Sequence, residues 1–155
     1  ILEKKIFVLK DKQSTHGLES TVVRIDNKNR IELLRYGSIT IEDLNKFAKV
    51  KIKKKSSISP GNLKKHYSTL KPIRMNAKKI LKDEGLLNFG NNKLNSKIIN
   101  LNLSKKENLK EASKNLFHYL HRLDQSKCKK IAIAPIPNFG LGLTINDRIK
   151  RASKK

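Results

Sequence analysis

Short apolar runs separated by polar residues characterise the first part of the chain. Ile6-Phe7-Val8-Leu9 is typical of a buried strand, because turn-forming residues follow it. Two β-rich runs, Thr21–Asp26 and Arg30–Arg35, flank the polar connection Asn27-Lys28-Asn29. Two such runs around a three-residue polar loop predict a β-hairpin.

A helix is predicted shortly after the hairpin. Gly37 interrupts the strand pattern, and the Thr40 side chain can accept a hydrogen bond from an unpaired N–H group of a following helix. Glu42 and Asp43 lie in the first turn, where the helix dipole favours negative charge. The pattern therefore predicts a helix that begins after Thr40 and ends near Ala48.

The stretch from 50 to 76 differs from its neighbours in composition. It contains a run of lysines, Ser56-Ser57, Pro60-Gly61 and Pro72, and neither a period of 2 nor one of 3.6 holds throughout. Segments of this kind typically join domains. We expect residues 1–49 to end one domain, residues 50–76 to be an interdomain linker, and residues 77–155 to form a small C-terminal domain.

The C-terminal half returns to a regular pattern. Ile98–Leu103 and Lys130–Ala134 are predicted strands, and Leu143–Ala152 is a predicted helix. Ser104-Lys105-Lys106-Glu107 matches a capping box, which predicts the start of a long helix. Strands that alternate with helices predict an α/β unit with a parallel sheet. The apolar face of the long helix is expected to consist of Leu109, Ala112, Leu116, Phe117, Leu120 and Leu123.

Composition and charge narrow the class of protein. The 155 residues carry a net charge of +23, which attracts phosphate groups and leaves open a basic RNA-binding module, including one for double-stranded RNA. The 29 Lys and 15 Asn against 7 Arg favour instead the residue usage of an AT-rich genome, with lysines on solvated faces.

Apolar runs stay below about 18 residues, so no membrane helix is expected. Cys128 is the single cysteine, which excludes an internal disulfide and favours a cytoplasmic setting.

Common catalytic signatures are missing from the sequence. It contains no Walker A loop, HExxH pair, nucleophile elbow or CxxC pair. His118 and His121 are three residues apart on the predicted long helix, but without a third ligand nearby we expect no metal site. Gly140-Leu141-Gly142 precedes a helix, so its N–H groups either bind an anion or allow close packing of the loop.

An ordered set of motifs resembles a known family. Gly17-Leu18-Glu19-Ser20-Thr21-Val22-Val23, followed by Leu34-Arg35-Tyr36-Gly37-Ser38-Ile39-Thr40, is similar to the closing hairpin of the YrdC fold. Ser59-Pro60-Gly61 with His66-Tyr67 resembles the linker of the two-domain threonylcarbamoyl-AMP synthases. Further segments resemble their C-terminal domain, among them Glu84–Gly90, Asn102–Ser104 and Gly140–Arg148. The sequence differs from the family pattern at Arg24, Tyr36 and Asn62, where Asp, Pro and Met are usual.

The resemblance implies both a fold and an activity. It implies the C-terminal end of a YrdC-like α/β domain, a linker, and a small Rossmann-like α/β domain with a parallel sheet. The family's nucleotidyltransferases form threonylcarbamoyl-AMP and pyrophosphate from threonine, bicarbonate and ATP, and a partner complex transfers the threonylcarbamoyl group to tRNA. ATP is then a substrate that brings Mg²⁺, and no tightly bound cofactor is expected. The family's Lys-Arg pair and S-x-N motif precede the residues present here, so this chain alone is expected to be inactive.

Three site residues follow from the resemblance. Ser20 corresponds to a hydroxyl that binds threonine, Arg35 to an arginine that contacts ATP, and Tyr67 to a linker residue that closes over the active site. Without the resemblance, Ser20 would be interpreted as the residue at a strand start and Arg35 as an exposed charge. The catalytic residues themselves are not predicted by any pattern in this chain.

Overall fold

The computed structural model describes residues 17–52 and 68–153, which form two β-sheets and three α-helices. The first sheet contains β1 (Val22–Ile25), β2 (Ile31–Arg35) and β3 (Val50–Ile52), with α1 (Ile41–Leu44) between β2 and β3. The second sheet contains β4 (Ile73–Arg74), β5 (Glu84–Asn88), β6 (Asn100–Asn102) and β7 (Lys130–Ile133). The remaining helices are α2 (Leu109–Gln125) and α3 (Leu141–Ala152).

The predicted hairpin is confirmed. β1 pairs with β2 in an antiparallel register. Asn29 adopts a left-handed conformation with φ of 53°, and the Asp26 carboxylate accepts hydrogen bonds from the N–H groups of Lys28 and Arg30 at 2.9 and 3.0 Å. Asn tolerates this conformation better than most residues, and Asp commonly closes such turns. The polar connection therefore fixes the register of the two strands.

The predicted cap of the first helix is confirmed, but its predicted end is wrong. Thr40 accepts a hydrogen bond from the N–H of Asp43, and the Asp43 carboxylate accepts one from the N–H of Thr40. The helix ends at Leu44 rather than near Ala48. The Asn45 side chain accepts a hydrogen bond from the N–H of Val50 at 3.0 Å. This contact directs the chain from α1 toward β3, and β3 pairs in parallel with β2.

The second sheet confirms the predicted α/β class with parallel strands. Its order is β4-β7-β5-β6, and all three pairings are parallel. All five residues of β5 are buried. Leu86 and Leu87 are adjacent and point to opposite faces of the sheet, yet both are fully buried, so both faces are covered.

Both long helices pack on the Leu87 face of this sheet. The residues predicted for the apolar face of α2 are confirmed, since four are buried and the other two pack against the same cluster. The core cluster also includes Ile131 and Ile133 from β7, and Ile145 and Ile149 from α3. The shared cluster joins α2, α3 and the sheet into one core.

The predicted capping box at Ser104 is wrong. The N-cap of α2 is Asn108, whose side chain accepts a hydrogen bond from the N–H of Glu111 at 3.0 Å. Glu107 has φ of 57°, which excludes it from the first turn of the helix. The Ser104 hydroxyl accepts instead from the N–H of Asn108 and donates to the Glu111 carboxylate. The pattern thus predicted the helix correctly but placed its start four residues too early.

Two strands lie at the ends of the stretch predicted as irregular. β3 occupies 50–52 and β4 occupies 73–74, and β5 is a further strand that the pattern did not predict. Residues 53–67 and the predicted strand Ile6–Leu9 lie outside the described residues. The domain boundaries at 49/50 and 76/77 stay a prediction.

Candidate functional site

The structure brings Ser20 and Arg35 together at the corner where the hairpin begins and ends. The Nε of Arg35 donates to the backbone carbonyl of Ser20 at 3.1 Å, and its Nη2 donates to the Ser20 hydroxyl at 3.0 Å. The Arg35 side chain is 12% exposed, so it is not a solvated surface charge. Ser20 is exposed. A hydroxyl that solvent can reach therefore lies directly beside an anchored guanidinium.

Close backbone approach builds this corner. A Cβ atom at Gly37 would lie 2.2 Å from the Thr21 nitrogen, so only glycine fits there without displacement. The Ser38 N–H donates to the Glu19 carbonyl at 3.1 Å. The Thr21 hydroxyl donates to the Ile39 carbonyl at 2.8 Å and accepts from the Ile39 N–H at 3.0 Å. The segment before β1 is thereby fixed to the segment after β2.

Glu19 lies between two arginines from distant parts of the chain. Its Oε2 is 2.8 Å from Nη2 of Arg148 and 3.8 Å from Nη1 of Arg35. Arg148 is 1% exposed, and its Nη2 also donates to the Tyr36 carbonyl at 2.7 Å. Its Nη1 donates to the Asp147 carboxylate at 2.7 Å. Burial lowers the pKa of the Arg148 guanidinium, while the charges of Glu19 and Asp147 act in the opposite direction.

The N-terminal end and one side of α3 contact α1 and the end of the hairpin through residues 140, 144 and 148. The Gly140 N–H donates to the Glu42 carboxylate at 3.2 Å, and the Thr144 hydroxyl donates to the Gly37 carbonyl at 2.9 Å. Arg148 supplies the third contact. Thr144 and Arg148 are four residues apart and lie on the same side of the helix, and the N-cap Gly140 adds its backbone N–H at the helix end. The hairpin is therefore joined to the second sheet through α3.

Of the two interpretations of Gly140-Leu141-Gly142, the structure favours close packing. A Cβ atom at Gly142 would lie 2.0 Å from the Pro137 carbonyl oxygen. The N–H of Gly140 already has a carboxylate partner in Glu42. Close packing accounts for Gly142, whereas Gly140 has φ of 51°, a conformation that favours glycine.

A cavity lined by both polar and apolar side chains lies where the hairpin meets the carboxyl ends of β4 and β7. Its volume is about 540 Å³, and its lining includes Tyr36, Asn76, Asn146 and Asp147. Burial, together with the charge of Asp147, raises the pKa of the Tyr36 hydroxyl. Tyr36 stays neutral and presents a hydrogen-bonding group at this junction.

A second cavity lies nearby, at the second sheet. Its volume is about 720 Å³, and Lys78, Lys79, Lys93 and Asn92 contribute to its lining. Lys78 and Lys79 follow β4, and Asn92 and Lys93 follow β5, so the cavity lies at the carboxyl ends of these parallel strands. This is the edge at which α/β sheets generally bind ligands.

The remaining predicted positions add nothing to this corner. Tyr67 lies outside the described residues. His118 and His121 are exposed, and within 17–52 and 68–153 no group of three or more His, Cys, Asp or Glu side chains is placed to hold a metal ion. No helix in the same ranges is both long and apolar enough to cross a membrane.

The described residues form an α/β domain, and its last helix, α3, is joined to the end of the β1–β2 hairpin. A family model for the C-terminal domain of threonylcarbamoyl-AMP synthase (Sua5_C) matches residues 39–154. The chain belongs to the threonylcarbamoyl-AMP synthase family, as its motifs predicted. The match covers α1, β3 and the whole second sheet, and it begins after Ser20 and Arg35.

Two solved structures have a similar fold. The crystal structure of P. abyssi Sua5 complexed with L-threonine has a TM-score of 0.73 at 21% identity, over 90% of this chain and 47% of that chain. A doubly substituted variant of P. abyssi Sua5 has a TM-score of 0.69 at 21% identity, over 90% of this chain and 46% of that chain. At this identity the likeness shows the fold alone. This chain spans about half the length of both proteins.

Sequence reasoning missed Glu19 and Arg148 as members of the site. Each lies in a recognisable motif, but the two residues are 129 positions apart and no spacing links them. One signal was available. Arg148 follows Thr144 by one turn and lies between Ile145 and Ile149, so the helical pattern places a charge among core residues. A charge in such a position is rarely buried without a partner.

Proposed function

We propose that this chain is the C-terminal part of an L-threonylcarbamoyladenylate synthase that serves tRNA modification. The family match over residues 39–154 carries this proposal. The reaction consumes threonine, bicarbonate and ATP and releases threonylcarbamoyl-AMP, pyrophosphate and water. An N–C bond forms between threonine and bicarbonate as a C–O bond of bicarbonate breaks and that oxygen leaves as water. A P–O bond from the carbamate to the α-phosphorus forms as the α–β phosphoanhydride breaks and pyrophosphate leaves. A separate transferase complex then moves the threonylcarbamoyl group to tRNA.

Ser20 and Arg35 are proposed to meet the two larger substrates. The Ser20 hydroxyl is exposed and would hydrogen-bond a polar group of threonine. Arg35 would contact ATP, since a guanidinium pairs with phosphate through two parallel N–H groups. The two side chains are 3.0 Å apart, so threonine and nucleotide would be held side by side. Tyr67 is proposed to close over them, and Mg²⁺ would arrive with ATP.

ATP titration by calorimetry tests the role of Arg35 in the full-length protein that carries this chain. Arg35→Ala should weaken ATP binding by about 1.5–3 kcal/mol, the range for hydrogen bonds to charged groups. Arg35→Lys should recover only part of this loss, because an ammonium keeps the charge but loses the planar fork. Arg24→Ala is the matched control, since Arg24 lies on the adjacent strand and pairs with Glu32. Unchanged ATP affinity in a well-folded Arg35→Ala variant would contradict the assignment.

The isolated chain of 155 residues is proposed to be inactive, because the family's Lys-Arg pair and S-x-N motif precede the segment present here. Purified chain should release no pyrophosphate above the rate of a reaction without protein, while the full-length protein does so only with threonine and bicarbonate. Substrate-dependent pyrophosphate release by the chain alone would contradict this.

A weak RNA contact is a second proposed function, supported by the lysine-lined cavity of the C-terminal domain. Lysines bind RNA mainly through phosphate, so affinity should fall steeply with salt. Replacing Lys78, Lys79 and Lys93 by Ser should reduce the slope of log K against log salt by roughly 0.7–0.9 for each phosphate that is no longer bound. Filter binding of tRNA measures this slope. An unchanged slope would rule out the cavity as the RNA-binding surface.

A further inference from the structure

We propose that Arg148 is a positioning residue, through which helix α3 keeps Arg35 directed at ATP by holding the carboxylate of Glu19. This rests on the proposed function of Arg35. Arg148 itself is 1% exposed and is not proposed to touch substrate. The inference assigns the C-terminal domain a direct part in forming the substrate site.

The geometry places Arg148 and Arg35 in competition for one carboxylate. Oε2 of Glu19 is 2.8 Å from Arg148 and 3.8 Å from Arg35. The nearer pair is a charge-assisted hydrogen bond, whereas the longer one is mainly a Coulomb attraction. If Arg148 were removed, Glu19 would keep its charge and attract Arg35 more strongly. Arg35 would then be drawn from Ser20 and from an incoming phosphate.

Arg148 also fixes the backbone that carries Arg35. The same Nη2 group that binds Glu19 donates to the carbonyl of Tyr36, the residue directly after Arg35. One helical turn earlier, Thr144 donates to the next carbonyl, that of Gly37. Two consecutive peptide groups after β2 are therefore held by α3. This limits the directions in which the Arg35 side chain can leave the strand.

The stability of the fold alone is a weak reason for burying the Arg148 guanidinium. Within the part of the chain that the structure describes, the Nε of Arg148 is a buried side-chain nitrogen without a hydrogen-bond partner. A buried ion pair commonly adds less stability than an apolar side chain of the same volume, and an unpaired buried donor lowers stability further. A role in geometry accounts for a buried guanidinium that contacts both Glu19 and Tyr36.

The test measures ATP affinity by calorimetry in the full-length protein, with a thermal melt of every variant. Arg148→Met should weaken ATP binding about tenfold, the size expected when one hydrogen bond to a charged group is removed. Adding Glu19→Gln should restore part of this affinity, because Gln no longer carries the charge that attracts Arg35, whereas the contact with the Tyr36 carbonyl stays lost. Arg148→Lys is the second variant if Arg148→Met does not fold, since its single ammonium cannot span Glu19, Tyr36 and Asp147 together. The same recovery by Glu19→Gln is expected there.

Arg74→Met is the matched control. Arg74 lies in β4 and pairs with the buried Glu84 of β5 within the second sheet, so its loss should lower the melting temperature and leave ATP affinity unchanged. The inference is overturned if Arg148→Met and Arg148→Lys bind ATP normally, or if Glu19→Gln restores none of the lost affinity. If Arg35→Ala itself leaves ATP binding unchanged, the proposed function of Arg35 fails instead. The two failures are therefore distinguishable.

Discussion

The two sheets contain strands of similar length but differ in what covers them. In the second sheet all residues of the central strand β5 are buried, and α2 and α3 pack on one face of the sheet. In the first sheet Val23, Ile25 and Ile52 remain 39%, 67% and 49% exposed. The second sheet is thus stabilised mainly by burial, whereas the first depends more on turns, caps and the contacts of α3.

Register explains the exposed apolar surface of the first sheet. Val23 pairs with Leu33, Ile25 pairs with Ile31, and Leu33 also pairs with Ile52 in β3. Directly paired residues point to the same face of a sheet, so these five side chains form one apolar face. Of the five, only Leu33 is fully buried. A face of this composition is typical of a surface that packs against another layer.

The largest expected difference between the sheets concerns apolar side chains. Leu87→Ala removes a fully buried side chain from the core and should lower the free energy of unfolding by about 2–5 kcal/mol. Ile25→Ala in the first sheet should cost less than about 0.5 kcal/mol, because that side chain is largely exposed. Urea unfolding of the 155-residue chain measures both values. Equal losses would mean that burial stabilises the two sheets to the same extent.

Ion pairs should show the same contrast at a smaller size. Arg74 donates to both carboxylate oxygens of Glu84 at 2.8 and 2.6 Å, and Glu84 is 1% exposed. Arg74→Met leaves that carboxylate without its main partner and should cost about 1–3 kcal/mol. Arg24→Met breaks the exposed pair with Glu32 and should cost no more than about 1 kcal/mol. A larger loss from Arg24→Met would show that the first sheet depends on its surface charges.

Acid should weaken the second sheet through the same pair. Arg74 holds the pKa of Glu84 below its ordinary value of 4.5. Because the folded-state pKa is lowered, this stabilisation is fully present above pH 4.5 and is lost as the pH falls through the folded value. In Arg74→Met, burial without the arginine should raise that pKa, so the difference in unfolding free energy from the parent should narrow in acid. Urea unfolding between neutral pH and about pH 3 tests this. A constant difference would argue against linkage through Glu84.

Helix caps give the smallest expected effects. Asn108→Ala removes the N-cap of α2, whose buried side chains form much of the core, and should cost about 1 kcal/mol. Thr40→Ala removes the cap of α1, a four-residue helix of partly or fully exposed residues, and should cost less than about 0.5 kcal/mol in global unfolding. Thermal melts of the two variants decide the order. The reverse order would mean that α1 belongs to the cooperative core.

The sequence predicted correctly those elements whose defining residues are close together in the chain. The hairpin, the cap at Thr40 and the apolar face of α2 all depend on residues a few positions apart. β3 and β4 have three and two residues and form by pairing with strands distant in the sequence, so no local pattern marks them. β5 was missed because Glu84 and Gly85 are poor strand formers, and only its position between β6 and β7 makes it a strand.

The candidate site likewise contains residues that short motifs predicted and residues that only the tertiary fold brings together. Ser20 and Arg35 were predicted because short motifs contain them, and in the structure their side chains are hydrogen-bonded. The pairing of Glu19 with Arg148 depends on how α3 packs against the hairpin, which is a property of the tertiary fold. The substrate roles of Ser20, Arg35 and Tyr67 stay predictions.

The accessibility of Cys128 to thiol reagents can report on opening of the second sheet's core separately from the first sheet. It is the chain's single cysteine, it is 2% exposed, and it lies just before β7 in the core cluster. A thiol reagent can reach its Sγ only through an opening of the core around Cys128. Where that opening is fast and reversible, the rate of labelling relative to a free thiol reports the free energy of the opening. Fraying of the hairpin leaves this rate unchanged. The native sequence therefore carries its own kinetic probe, and no engineered label is required.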